Sequence, residues 1–143
     1  MHLLRAKEIL ESGDYTCVLT DGGAVYTSAL RGVRPLVQFL ENAENTNGFS
    51  AADKVVGRAT AYLYVLLGVA AVYAKVISEP AAAVLRAHGI RVEFDRLVPN
   101  IINRRGDGIC PFEAAVMDIS DPAEAYRAIR EKMKEMNIPL TKD

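Results

Sequence analysis

The sequence predicts a single α/β domain over residues 1–143, built as three layers, α-β-α, around a mixed sheet of about five strands. Three observations predict it. In YTCVLTDGGAVYTS, two runs rich in β-formers flank Asp21-Gly22-Gly23, a strong hairpin signal because the glycines supply the positive φ of a tight turn. From Val69 to Asp95 the pattern reads strand–helix–strand, and the right-handed crossover of such a unit makes its two strands parallel. The intervening segments space their apolar residues as helices do. Half of the 143 residues are hydrophobic, enough to bury a substantial core.

Taken in order, Leu3, Leu4, Lys7, Ile9 and Leu10 give an amphipathic first helix that ESGD ends, and the hairpin follows. RPLVQFLENAEN has helical spacing at Leu36, Val37, Phe39 and Leu40. TNGFS is a loop in which Ser50 serves as N-cap and Asp53 as the third helical residue of a helix from Ala51 to Leu67. That helix is apolar nearly all round and belongs at the centre. Gly68 stops it, and VAAVYAKVIS is a strand buried on both faces. Pro80 opens the next helix, Ala81 to His88, and Gly89 closes it. IRVEFD alternates as a fourth strand and LVPNIINR supplies a short fifth. CPFEAAVMD is a short helix, and SDPAEAYRAIREKMKEM is a charged amphipathic one, capped by Asp121 with Pro122 in its first turn.

Composition removes several function classes. The net charge is -1 with 24% charged residues, a balance that gives no electrostatic reason to expect nucleic acid as a partner. The longest uncharged run, Ala59 to Ala74, is short for a membrane span and is broken by Gly68. The N-terminal stretch lacks the apolar region and cleavage site of a signal peptide, and two distant cysteines make no disulfide framework; the expected location is the cytoplasm. Only His2 and His88 are histidines and no Cys pair exists, so neither a metal nor a cofactor is expected. Neither G-x-x-x-x-G-K-[ST] nor G-x-G-x-x-G occurs.

Chemistry-bearing residues are few. In GDGICPFEAAV, Pro111 fits a first helical turn and Glu113 stands three residues after Cys110, the spacing of a capping box. Cys110 is then either a cap or a thiol activated at the positive end of a helix. Asp53 in a first turn either accepts backbone N–H groups or acts as a general acid or base; Lys54 beside it is either solvated or able to neutralise a phosphate. Ser78 and Glu79 end the buried strand at the carboxyl edge, where open α/β sheets bind ligands. Asn103 and Arg104 follow the last predicted strand and are placed either to read a polar ligand or to tie the loop. Cys17 reads as an inert core residue, and Tyr62 and Tyr64 as packing.

The order hairpin, long helix, strand, Pro-led helix resembles the cytidine-deaminase-like fold, whose zinc enzymes carry H-x-E (or a Cys-first version) at the start of one helix and P-C-x-x-C at the start of the next. Laid on this chain, AAD and PAAAV take those places: Asp53 stands for the proton-shuttling Glu, and Ala51, Ala81 and Val84 for the zinc ligands. GFSAADKVVGRA, VISEPA, VPNIINR and GICPFEAAV are similar to segments of a prokaryotic family of unknown function, assigned to that superfamily without its zinc site. The resemblance runs from about Asp14 to Arg130. It implies the fold and a zinc-free candidate pocket, but no established activity; the expected function is to bind, with or without transforming, a nucleotide-like or small polar ligand, with Asp53 and Cys110 chemically active and Ser50, Lys54, Ser78, Glu79, Asn103 and Arg104 positioning the ligand. Zinc-dependent hydrolytic deamination is disfavoured, because only a metal lowers the pKa of water from about 15.7 to about 7. The alternatives are a non-catalytic ligand sensor and a scaffold whose helices assemble a homo-oligomer. The pocket is expected between the N-termini of helices beginning near Ser50, Pro80 and Cys110.

Overall fold

The computed structural model describes residues 2–102 and 105–139. Five strands, β1 Cys17–Thr20, β2 Val25–Ser28, β3 Ser50–Val56, β4 Ala71–Ser78 and β5 Arg91–Val98, form one sheet in the order β2-β1-β3-β4-β5. The helices are α1 Leu3–Ser12, α2 Arg34–Glu41, α3 Arg58–Leu67, α4 Glu79–Ala87, α5 Pro111–Ala115 and α6 Pro122–Glu135. The β1–β2 and β1–β3 pairs are antiparallel; β3–β4 and β4–β5 are parallel. This is the mixed α/β sheet the sequence predicts, with helices on both faces.

Strand alternation divides the core. Val18, Ala52, Ala71 and Tyr73 meet Leu3, Ala6 and Leu10 of α1 on one face. Cys17, Leu19, Ala51, Val72 and Ala74 face the larger core under α2 to α6. The middle of that second layer is α3, which packs against α2, α4, α5 and α6. A helix packed against four others presents little surface to water, only Leu66 being exposed, which explains its nearly continuous apolar sequence. Gly68 adopts φ +75° at its end, and a side chain there would strike Asn47, so only glycine closes this helix without rearrangement.

Local signals place the hairpin, α4 and α6. Asp21 Oδ1 accepts the N–H groups of Gly23 and Ala24, Ser78 Oγ accepts from Ala81, and the Asp121 side chain accepts from Glu124. Two expectations fail. Residues 50–56 are a strand, not the first turns of a helix, so Ser50 is no N-cap and Asp53 no first-turn residue. β3 lies between β1 and β4, with both faces covered by helices, and pairing on both edges overrides the weak strand preference of Ala51-Ala52-Asp53-Lys54. The correspondence of AAD with a helix-opening zinc motif loses its basis with it. The second correction concerns LVPNIINR: Leu97 and Val98 extend β5, and Ile102 makes only an isolated antiparallel bridge to Ile109. The fifth strand of the sheet is β3 instead.

Candidate functional site

One cleft opens over the carboxyl-terminal half of β3. Its inner compartment, about 400 Å³, is lined by Asp53, Lys54 and Val55 of β3, Thr16 before β1, Gly57, Ala59 and Thr60 at the start of α3, Arg31 to Val33 and Pro35 at the start of α2, and Ile101, Cys110, Phe112 and Glu113 around α5. Of the three helix starts expected to bound it, only the one after Cys110, that of α5, does; the other two belong to α2 and α3, not to helices at Ser50 and Pro80.

Asp53 is at its floor. Leu19, Ala51 and Cys17 share its sheet face, so its carboxyl enters the larger core and only 8% of the residue is exposed. Tyr64, one helix above, donates its hydroxyl to Oδ2 at 2.6 Å, and the Val55 N–H donates to Oδ1 at 3.2 Å. Cys17, opposite Asp53 in the β1–β3 register, places its Sγ 3.3 Å from the same tyrosine hydroxyl. Burial penalises the carboxylate more than these bonds stabilise it, and the Asp53 carboxyl is pushed up to about 7. The same burial, with the Asp53 charge close by, raises both Cys17 and Tyr64 well above their ordinary ranges. Asp53 is thus the one of the three that changes protonation near neutral pH.

Glu113 holds the opposite wall. Its Oε1 accepts the Arg58 N–H at 2.7 Å and its Oε2 the Ala59 N–H at 2.8 Å, closing the N-terminus of α3 with a carboxylate from α5. Gly57 makes the approach possible, because a Cβ there would stand 2.6 Å from the Glu113 carboxyl. The expected capping box at α5 does not form: Cys110 makes no side-chain cap bond, and its N–H donates to Ile101 O. Cys110 is partly exposed and lines the cleft.

Of the residues predicted for the site, the fold brings Asp53, Lys54 and Cys110 to one cleft. Ser50 is buried at the other end of β3, three residues and roughly 10 Å from Asp53. Ser78 is used as the cap of α4, and neither it nor Glu79 lines the cleft. Asn103 and Arg104 lie outside the described residues. Tyr64, read as packing, and Glu113, read as a capping residue of its own helix, turn out to act at this site. Their partners lie 11 and 55 positions away, and only Gly57, a glycine directly before an apolar helix, marked the place locally.

The family model described as TM1506, a domain of unknown function (DUF1893), matches residues 5–133. The crystal structure of a DUF1893 family protein (TM1506) from Thermotoga maritima is similar to this chain, with a TM-score of 0.84 and 31% identity, over 92% of this chain and 90% of that one. No curated protein matches. With both sequence and fold matched over most of its length, the chain belongs to the DUF1893 family, whose function is unknown.

Proposed function

We propose that the cleft over β3 binds a nucleotide-like or other small polar ligand, and that Asp53 exchanges a proton with it. One observation carries the reading: a carboxyl pushed up to about 7 at the floor of a mostly apolar cavity of ligand size. At neutral pH such a group is present in both forms, able to accept a proton from, or donate one to, a weakly basic nitrogen held against it. Tyr64 and the Val55 N–H fix its orientation. Cys110 stands across the cleft as a second reactive group.

The deaminase-like assignment is supported by element order, re-registered. The first helix after the hairpin is α2 and the next is α3, so the positions where zinc motifs open their helices are Val33 to Pro35 and Gly57 to Thr60. Both stretches line the cleft, and neither holds a histidine or cysteine. Among the described residues no cluster of three His, Cys, Asp or Glu forms a metal cage. The residues present do not fit zinc. Among the described residues no helix is long and apolar enough to cross a membrane.

The test is binding of cytidine and adenosine, each with its 5′-monophosphate, to the wild type and to Asp53→Asn between pH 5 and 9. Affinity that changes through pH 7 in the wild type and loses that dependence in the variant supports the reading. Binding unaffected by the substitution at every pH refutes it.

A further inference from the structure

Cys17 is a buried nucleophilic group that the proposed function leaves unused. It stands opposite Asp53 in the β1–β3 register, on the sheet face that carries the larger core. Tyr64 of α3 reaches both: its hydroxyl is 2.6 Å from Asp53 Oδ2 and 3.3 Å from Cys17 Sγ. All three residues are buried. The hydroxyl has one proton and two lone pairs, the thiol has one proton, and an ionised carboxyl has none. An ionised Asp53 only accepts, so the tyrosine proton is committed to Oδ2. The sulfur–oxygen contact is then made in one way, with the Cys17 S–H donating to the Tyr64 oxygen.

We infer that Cys17 is a positioning residue for Asp53: its thiol donates to the Tyr64 hydroxyl and turns the tyrosine proton toward the carboxyl, making one directed chain from the sulfur to the group that meets the ligand. The inference rests on the proposed role of Asp53 and adds the residue that aims it. A hydroxyl proton rotates to suit its partners, and a donor on one side of the oxygen leaves it the other side. Bonds in such a chain strengthen one another in a low-dielectric interior, so the thiol donates most strongly when Asp53 is charged. Protonation of Asp53 weakens the pull on the tyrosine proton, and a new proton placed on Oδ2 reverses the chain. Either change weakens the S–H bond to oxygen. The other charged or titratable groups lining the cleft are Lys54 on β3, Arg31 before α2, and Cys110 and Glu113 around α5; β4 sets Ala74 beside Asp53.

The sequence holds two cysteines, so Cys110→Ser leaves Cys17 as its one thiol. Infrared spectra of this variant from pH 4 to 9 read the S–H stretch, which falls in a region free of other protein bands. Carboxyl NMR reads Asp53 in the wild type, Cys17→Ser and Cys17→Val. The S–H band should move to lower frequency as Asp53 ionises, with the midpoint that NMR gives for the carboxyl. It should stay constant once Asp53→Asn is added, a change that leaves Lys54, Arg31 and Glu113 in place. Serine keeps a donor, so Cys17→Ser should hold the Asp53 midpoint near the wild-type value. Valine keeps the bulk without a donor, and Cys17→Val should raise the midpoint by about half a pH unit. A band unmoved while the carboxyl titrates, or one still moving with Asp53→Asn, overturns the inference. So does a midpoint unchanged in Cys17→Val, or one raised as far in Cys17→Ser. Far-UV circular dichroism checks folding, and the infrared arm decides alone if Cys17→Val does not fold. Binding of cytidine 5′-monophosphate separates this inference from the proposed function. If the S–H band follows Asp53 but affinity is the same in Asp53→Asn at every pH, the positioning stands and proton exchange falls. Affinity that follows Asp53 over an unmoved S–H band gives the reverse.

Discussion

Tyr64 donates its hydroxyl to Asp53 Oδ2 at 2.6 Å, joining the central helix to the central strand beneath the cleft. The bond favours the ionised carboxyl, while the surrounding core favours the neutral one, and the balance sets where Asp53 titrates.

Stability should carry the mark of that balance. The native carboxyl is raised from 3.8 to about 7, so between those values the folded chain holds a proton that the unfolded chain has released. The stability this group contributes is full below pH 3.8 and is lost as pH rises through 7, by a few kcal/mol. Denaturant titrations from pH 4 to 8 should therefore show a decline through this window in the wild type that Asp53→Asn flattens.

Tyr64→Phe removes the hydroxyl from both Asp53 and Cys17 while keeping the ring that fills the core. Loss of a donor to the charged form should move the Asp53 titration above 7, and the fold should lose about 1–2 kcal/mol. Carboxyl NMR of the variant reads the first effect and urea unfolding the second.

The Gly57–Glu113 contact should behave as a unit. Glu113→Gln replaces one accepting oxygen of the α3 cap with a donor, and Gly57→Ala drives a methyl into the carboxyl; each should cost about 1–3 kcal/mol. Since both break one contact, the double variant should be destabilised by much less than the sum. A double-mutant cycle in urea checks this; strict additivity would show that Glu113 is not held through Gly57.

Cys110 and Cys17 should part company toward iodoacetamide. Cys110 is partly exposed in the cleft, whereas Cys17 is buried with its thiol pushed up. Mass spectrometry of native protein at pH 8 should find Cys110 alkylated and Cys17 untouched until denaturant is added. Cys110→Ser should change stability by less than about 1 kcal/mol, because no side-chain cap bond is lost.

What the sequence made legible follows from the range of each interaction. The hairpin turn and the Asp121 cap are made within three residues and could be read directly; Ser78, expected to position a ligand, caps α4 over an equally short span. β3 could not, since Ala51 and Ala52 are small because helices approach both faces of the strand, and small residues read as helix in isolation. Its misreading put Asp53 in the wrong element yet left it in one cleft with Cys110, because β3 ends where α3 begins and α5 docks at that junction. Glu113 was legible as a capping residue; which helix it caps was decided 55 positions away.

Carbon-detected NMR of the Asp53 carboxyl, in wild-type protein assigned by comparison with Asp53→Asn, tests the central claim most directly. The account predicts a midpoint about 7, shifted when a nucleoside monophosphate fills the cleft. A midpoint in the ordinary carboxylate range near 4, unmoved by that compound, would contradict it.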